Sequence, residues 1–195
     1  EQAAGVVGNF QAESGVNPTR VQGAPTPEGD SKTPTTGSIG GGNAWGLAQW
    51  DPGDKIIPLA ERVGTPVYEL STQLEIVWIQ MEEVSPTGDR NILPGLKAIR
   101  PASNKESAIK VAVEEAVRYF EENFEGAGTP NYPARYRYAH AAYDKYSGRT
   151  PGNSGSLLQS TGCSEVIGGS VVEIAKRELA LGAKESDNSY LKYTR

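Results

Sequence analysis

The sequence predicts a mainly α-helical domain, on three observations. Apolar residues recur at 3.6-residue spacing along several long stretches. Gly 23 and Pro 13 gather in two stretches and leave the segments between them uninterrupted. With 195 residues, 37% hydrophobic and 22% charged, the chain is globular and long enough for one good-sized core, or one domain plus the beginning of another.

The first segment, EQAAGVVGNFQAESG, reads as a helix because Ala3, Val6, Phe10 and Glu13 fall on one stripe. Gly15 and Asn17-Pro18 end it. Residues from about Val21 to Asn43 are too Gly/Pro/Thr-rich and too long for an ordinary connection, and predict a functional loop or a small β-hairpin. After AWGLAQWD comes a short helix near Lys55–Val63, then a stronger one in YELSTQLEIVWIQMEE. The apolar face of the latter is Leu70, Leu74, Val77, Trp78 and Met81, with Trp78 placed in the core. A long helix follows from about Lys105 to Phe124, with Ile109, Val113, Ala116, Val117, Phe120 and Phe124 inward. The last helix of the domain begins near Pro133, a residue suited to a first turn, and lines one face with Tyr132, Tyr136, Ala139, Tyr143 and Tyr146.

These elements make residues 1–147 one domain. Residues 148–165 are Gly/Ser-rich and read as a linker. Residues 166–195 hold one amphipathic helix and a polar extension, too little to bury a core, and read as a fragment of a second domain. The chain starts at Glu1 with neither initiator Met nor signal peptide, which reads as a piece excised from a longer protein.

Several chemistries are excluded early. A formal net charge of −5 argues against a phosphate-tracking nucleic-acid protein. No run approaches the roughly 20 apolar residues of a membrane helix. One cysteine, Cys163, and one histidine, His140, rule out an internal disulfide and a Cys/His zinc cluster. Cys163 lies in linker-like sequence, and His140 reads as an ordinary helix residue. The glycines in Ser38–Gly42 lack the Gly-Lys-Ser/Thr ending of a phosphate cradle. No metal or cofactor is expected.

Glu13 is the first residue to carry chemistry. A carboxyl that continues a buried apolar stripe at a helix end sits partly out of water, the setting that suits a general acid. The plainer reading is an exposed helix-end residue. Glu13-Ser14-Gly15, then Asn17-Pro18, then Gly46-Leu47-Ala48-Gln49, and later Asn131-Tyr132 occur in an order that resembles the lysozyme-like superfamily. The segments GNFQAESGVNP, WGLAQWD and FEGAGTPNYPARYRYAHAAYDKY most resemble phage tail lysozymes, across roughly Gly5–Tyr146. The likeness extends more distantly to soluble lytic transglycosylases and goose-type lysozymes.

That resemblance implies a helical peptidoglycan glycosidase that cleaves the β-1,4 bond between N-acetylmuramic acid and N-acetylglucosamine. Glu13 would protonate the glycosidic oxygen. Ser14 would steady the cleft near the sugar, Gln49 would offer its amide to the substrate, and Tyr132 would sit near the acid or the reacting sugar. Trp45 and Trp50 either stack on sugars or fill the core. Asp51 is either a second catalytic carboxylate or an N-cap, and Glu28 and Asp30 are further carboxylate candidates. Without a second carboxylate, neutral side chains would hold the water, or the substrate's N-acetyl group would act, as in a lytic transglycosylase. The same residues also fit a glucosaminidase, or a non-catalytic wall-binding tail module. The tail module would be marked by a Glu13 carboxyl that is fully solvated or blocked by a salt bridge. The implied partners are peptidoglycan glycan strands, with no nucleic acid and no membrane insertion. The implied location is extracellular, or on a virion or conjugation apparatus facing the wall. The C-terminal segment resembles the opening helix of a CHAP-type domain, which implies a covalently linked second wall hydrolase.

Overall fold

The structure, a computed structural model, describes residues 1–24, 29–36 and 44–147. Residues 148–195, on which the expected linker and CHAP-like fragment fall, lie outside the described residues, as do Cys163, Glu28 and Ser38–Gly42. Six α-helices follow in chain order: α1 Gln2–Ser14, α2 Ile57–Val63, α3 Leu70–Glu82, α4 Leu93–Ala98, α5 Glu106–Phe120 and α6 Tyr132–Tyr146. A 3-10 turn, Gly53–Ile56, leads into α2, and a π-turn, Glu121–Glu125, continues α5. Among the described residues the strand pairing is limited to the isolated bridges Val21↔Trp45, Trp45↔Trp50 and Val84↔Arg90. The segment after α1 is therefore a loop pinned by bridges in its described parts.

α1 is the central helix. One apolar stripe predicts a helix buried on one side, yet Ala4 through Phe10 are all buried, Asn9 included. The reason is the placement of two glycines. α1 runs between α5 and α6, its two main neighbours. A Cβ added at Gly5 would lie 2.6 Å from the Ala116 Cβ of α5, and one at Gly8 would lie 2.6 Å from the Ala139 Cβ of α6. Side-chain-free faces let both partner backbones come close, as in small-residue helix crossings. Gly8→Ala would also meet the Arg135 carbonyl at 2.7 Å, so α6 must shift as a whole. We expect this variant to lose about 1–3 kcal/mol, the usual cost of overpacking, in urea denaturation.

The larger core cluster joins Phe10, Trp45, Leu47, Trp50, Ile56, Leu74, Ile76, Phe120 and Phe124. Phe120 meets Phe10 edge-on at 5.6 Å and stacks on Phe124 at 4.6 Å. Such pairs each contribute about 0.5–1.5 kcal/mol beyond area burial. A smaller cluster of Ala4, Val113, Val117 and Ala139 is flanked by Tyr132, Tyr136, Ala142 and Tyr143.

Two expectations need correction. α4 has no counterpart in the sequence reading, because six residues are too few to display a period. Trp78 is only partly buried at the edge of the core, with the Lys97 ammonium 5.1 Å from its ring. α3 instead buries Ile76 and the polar side chains Thr72, Gln73 and Gln80.

Candidate active site

Glu13 lies in the last turn of α1. The helix ends just beyond it because Gly15 adopts the left-handed conformation, φ 68°, and turns the chain away. The Glu13 side chain keeps 21% of its surface exposed and forms an ion pair with Arg135 of α6, Nη2 to Oε1. Arg135 is almost wholly buried, at 4%. Its Nη1 donates to Asn9 Oδ1 at 2.7 Å, and Asn9 Nδ2 donates to the carbonyls of Gly5 (3.0 Å) and Val117 (3.1 Å). One polar chain thus ties α5, α1 and α6 beneath Glu13. The Arg135 Nε is buried with no hydrogen-bond partner.

Ser14 faces inward. Its hydroxyl bonds the Phe10 carbonyl (3.1 Å) and the Leu47 carbonyl (2.7 Å), so it fastens the Gly46–Gln49 loop to the end of α1. The sequence expects Ser14 to steady the cleft near the sugar; here its hydroxyl is buried and engaged in joining this loop to α1. The same loop is closed by reciprocal 3.0 Å backbone bonds between Trp45 and Trp50. From α3, the fully buried Gln73 accepts from Leu47 N (2.7 Å) and donates to the carbonyls of Pro18 (2.7 Å) and Val67 (2.8 Å). Gly46, at φ 83°, is required here because a Cβ would sit 2.8 Å from that amide.

Gln49 has φ 46°, unusual for a residue with a Cβ. Its Nε2 donates to Gly46 O (2.8 Å) and Arg20 O (3.2 Å), so the amide nitrogen serves its own loop. The expectation that Trp45 or Trp50 presents a ring to sugar is corrected. The rings are 0% and 2% exposed, and their Nε1 atoms bond Ser31 O (2.7 Å) and Gln80 Oε1 (3.0 Å). Asp51 does not cap the turn that follows, whose N-cap is Pro52. Asp30 organises the loop base, accepting from Asn17 Nδ2 (2.5 Å), Val21 N (3.2 Å) and Arg20 Nη1 (3.4 Å).

The order of these parts along the fold is matched by one comparison. The model of the family described as phage tail lysozyme matches residues 1–146. The chain belongs to the phage tail lysozyme family. No match was found among curated proteins or solved structures. Membership makes the domain a cell-wall lytic enzyme whose substrate is peptidoglycan. Among the described residues no helix is long and apolar enough to cross a membrane.

In this family member further acidic residues lie on the π-turn Glu121–Glu125. The π-turn closes with a 2.7 Å bond from Gly126 N to Glu121 O, a wide turn of the kind that recurs at functional sites. It carries Glu121 and Glu125. Glu121 is buried and accepts from Ala127 N (2.9 Å) and the Tyr132 hydroxyl (2.8 Å). Tyr132 is thus held by Glu121, with a longer 3.5 Å contact to Glu122 and its ring stacked on Tyr136 at 5.7 Å. Burial first, then the hydrogen bond and charge of Glu121, push its phenol well up and keep it a proton donor. Glu125 is partly buried, and its Oε1 is sealed from solvent with no hydrogen-bond partner. Burial raises its pKa well above the ordinary 4.5. The negative charges of Glu13 and Glu121 add to this and Arg135 opposes it.

Arg135, Asn9, Gln73 and Glu125 were not among the residues expected from sequence. Arg135 was the most readable of them. It stands three residues after Tyr132 and four before Ala139, a charge inside an apolar stripe.

Proposed function

We propose that this domain cleaves the β-1,4 glycosidic bond between N-acetylmuramic acid and N-acetylglucosamine, with Glu13 as general acid. The observation that carries the reading is the position of Glu13: the buried central helix ends in a carboxyl that is still partly exposed. A rigid element presents an acid to solvent, where a glycan can reach it. Glu13 would give its proton to the leaving oxygen as the C–O bond breaks, and the oxocarbenium-like centre would then be captured. Capture by water gives a reducing end. Capture by the substrate's own N-acetyl oxygen gives a 1,6-anhydro product, the lytic transglycosylase outcome. Gln49 Oε1 and Asp51 remain the proposed polar contacts to substrate or water, on the loop that Ser14 joins to α1. The CHAP-like segment after the linker extends the proposal to a second wall-cleaving domain acting on peptide.

One observation favours a second reading, a sugar-binding tail module without catalysis: the Arg135 ion pair occupies the carboxyl that should carry the proton. Digestion of purified peptidoglycan followed by mass analysis separates these readings. Hydrolysis releases muropeptides one water heavier than the anhydro forms, and reduction of the new ends identifies which sugar carries them. Intact glycan with retained binding would leave the binding module.

A further inference from the structure

Gln73 joins Pro18, Leu47 and Val67, residues far apart in sequence, through one fully buried side chain of α3. We propose that Gln73 is a positioning residue for glycan cleavage: it sets the Gly46–Gln49 loop against the end of α1, so that Gln49 meets the glycan at a fixed place relative to Glu13. This rests on the reading of Gln49 as a substrate contact.

A side-chain amide offers two N–H groups and one carbonyl oxygen. In Gln73 all are engaged, Nε2 on the Pro18 and Val67 carbonyls and Oε1 on the Leu47 N–H. The amide therefore has one working orientation. Reversed, its oxygen would face the two carbonyls and its NH2 group would face the Leu47 N–H. Leu47 is held from both sides, because its own carbonyl accepts from Ser14 Oγ at 2.7 Å. Ser14 follows Glu13 in the last turn of α1, so the sequence of bonds from Gln73 through Leu47 to Ser14 relates α3, the loop and the acid-bearing helix end. Pro18 lies on the turn that leaves α1, just after Gly15 and Val16, both left-handed at φ 68° and 61°. Gln73 thus holds the exit of α1 and the loop together.

The loop held in this way presents one side chain. Ala44 to Ala48 and Trp50 are buried, whereas Gln49 between them is partly exposed. Gln49 Nε2 is committed to the Gly46 and Arg20 carbonyls, which leaves Oε1 as the remaining polar atom of that side chain. Gly46, which receives this bond, packs on the Gln73 amide so closely that a Cβ would lie 2.8 Å from Oε1. An apolar side chain of the same volume would fill the space under the loop. It would not fix where Leu47 sits, because burial is non-directional whereas hydrogen bonds set distance and angle.

The test uses the full 195-residue chain. Gln73→Met keeps most of the volume and removes the bonds to all three segments. On purified peptidoglycan, below the onset of thermal unfolding, its kcat/KM should fall about 10- to 100-fold with cooperative unfolding retained. A double-mutant cycle with Gln49→Ala separates positioning from stability. If Gln73 acts through Gln49, Gln73→Met should lower kcat/KM by no more than about 2-fold once the Gln49 side chain is gone. Independent, multiplying losses overturn the proposal, and so does parent kcat/KM in folded Gln73→Met. If Gln49→Ala alone keeps parent activity, the reading of Gln49 fails and the proposal falls with it. If Gln49→Ala is impaired and folded Gln73→Met is not, only the positioning role fails. Hydrogen exchange on the unaltered protein covers the case in which Gln73→Met does not fold. A loop set in advance by Gln73 requires the Leu47 N–H to exchange as slowly as the Phe10 N–H of α1, with or without an N-acetylglucosamine–N-acetylmuramic acid disaccharide. Faster exchange of the Leu47 N–H that slows on adding the disaccharide would mean that the glycan orders the loop, and would overturn the proposal.

Discussion

Glu13→Gln is expected to lower the rate of wall clearing by at least about 100-fold, the contribution of a positioned general acid. Glutamine keeps the size of the side chain and one acceptor for the Arg135 guanidinium, so α1 and α6 stay joined. It carries no transferable proton. Some stability is lost as well, because Arg135 is left as a buried charge without its anion. Since the Glu13 side chain is still 21% exposed, water softens that loss, and cooperative unfolding should persist. Turbidity loss of purified sacculi, run beside circular dichroism melting, separates the two effects. A folded variant that clears walls at the normal rate would remove Glu13 from catalysis.

Arg135→Met should produce the largest loss of stability at the site, about 3–5 kcal/mol in urea denaturation, the range for breaking one side of a buried ion pair. The guanidinium serves two acceptors on α1, Asn9 Oδ1 and Glu13 Oε1. Without it, Asn9 keeps its donors on Gly5 and Val117 but its oxygen is stranded in a fully buried position. Methionine fills much of the volume, so the loss reports missing polar partners more than a cavity. Arg135→Lys should not restore stability, because one ammonium cannot reproduce the planar fork that reaches both acceptors. Stability equal to the parent in the Met variant would mean that apolar packing replaces the network and that α1 and α6 are held by other contacts.

The parts legible in the sequence share a property: each depends on neighbours within a few turns. The periodic stripes located α1, α3, α5 and α6, because burial of one face imposes a 3.6-residue repeat. Gly15 and Pro133 marked a helix end and a helix start through their own backbone limits. Glu13 stood out because a carboxyl at an apolar stripe position breaks a local rule. The segments Glu13-Ser14, Gly46–Gln49 and Asn131-Tyr132 were enough, in that order, to identify the family now matched over residues 1–146.

What the sequence left open depends on residues that meet only in space. Ser14, Trp45 and Trp50 have types that suit a sugar cleft. Whether a hydroxyl or an indole faces solvent or core is set by what packs above it, here the Leu47 carbonyl, Gln80 and the helices around them. Gln73 holds a loop 26 residues upstream of it, and Arg135 reaches back 122 residues to Glu13. No periodicity encodes such pairings. The sequence by itself determined a helical domain of this family and the acid at the end of its first helix, because those follow from local spacing. Only the tertiary structure decided that this acid is held by a buried arginine. A charge can be brought out of water only where distant partners converge to satisfy it.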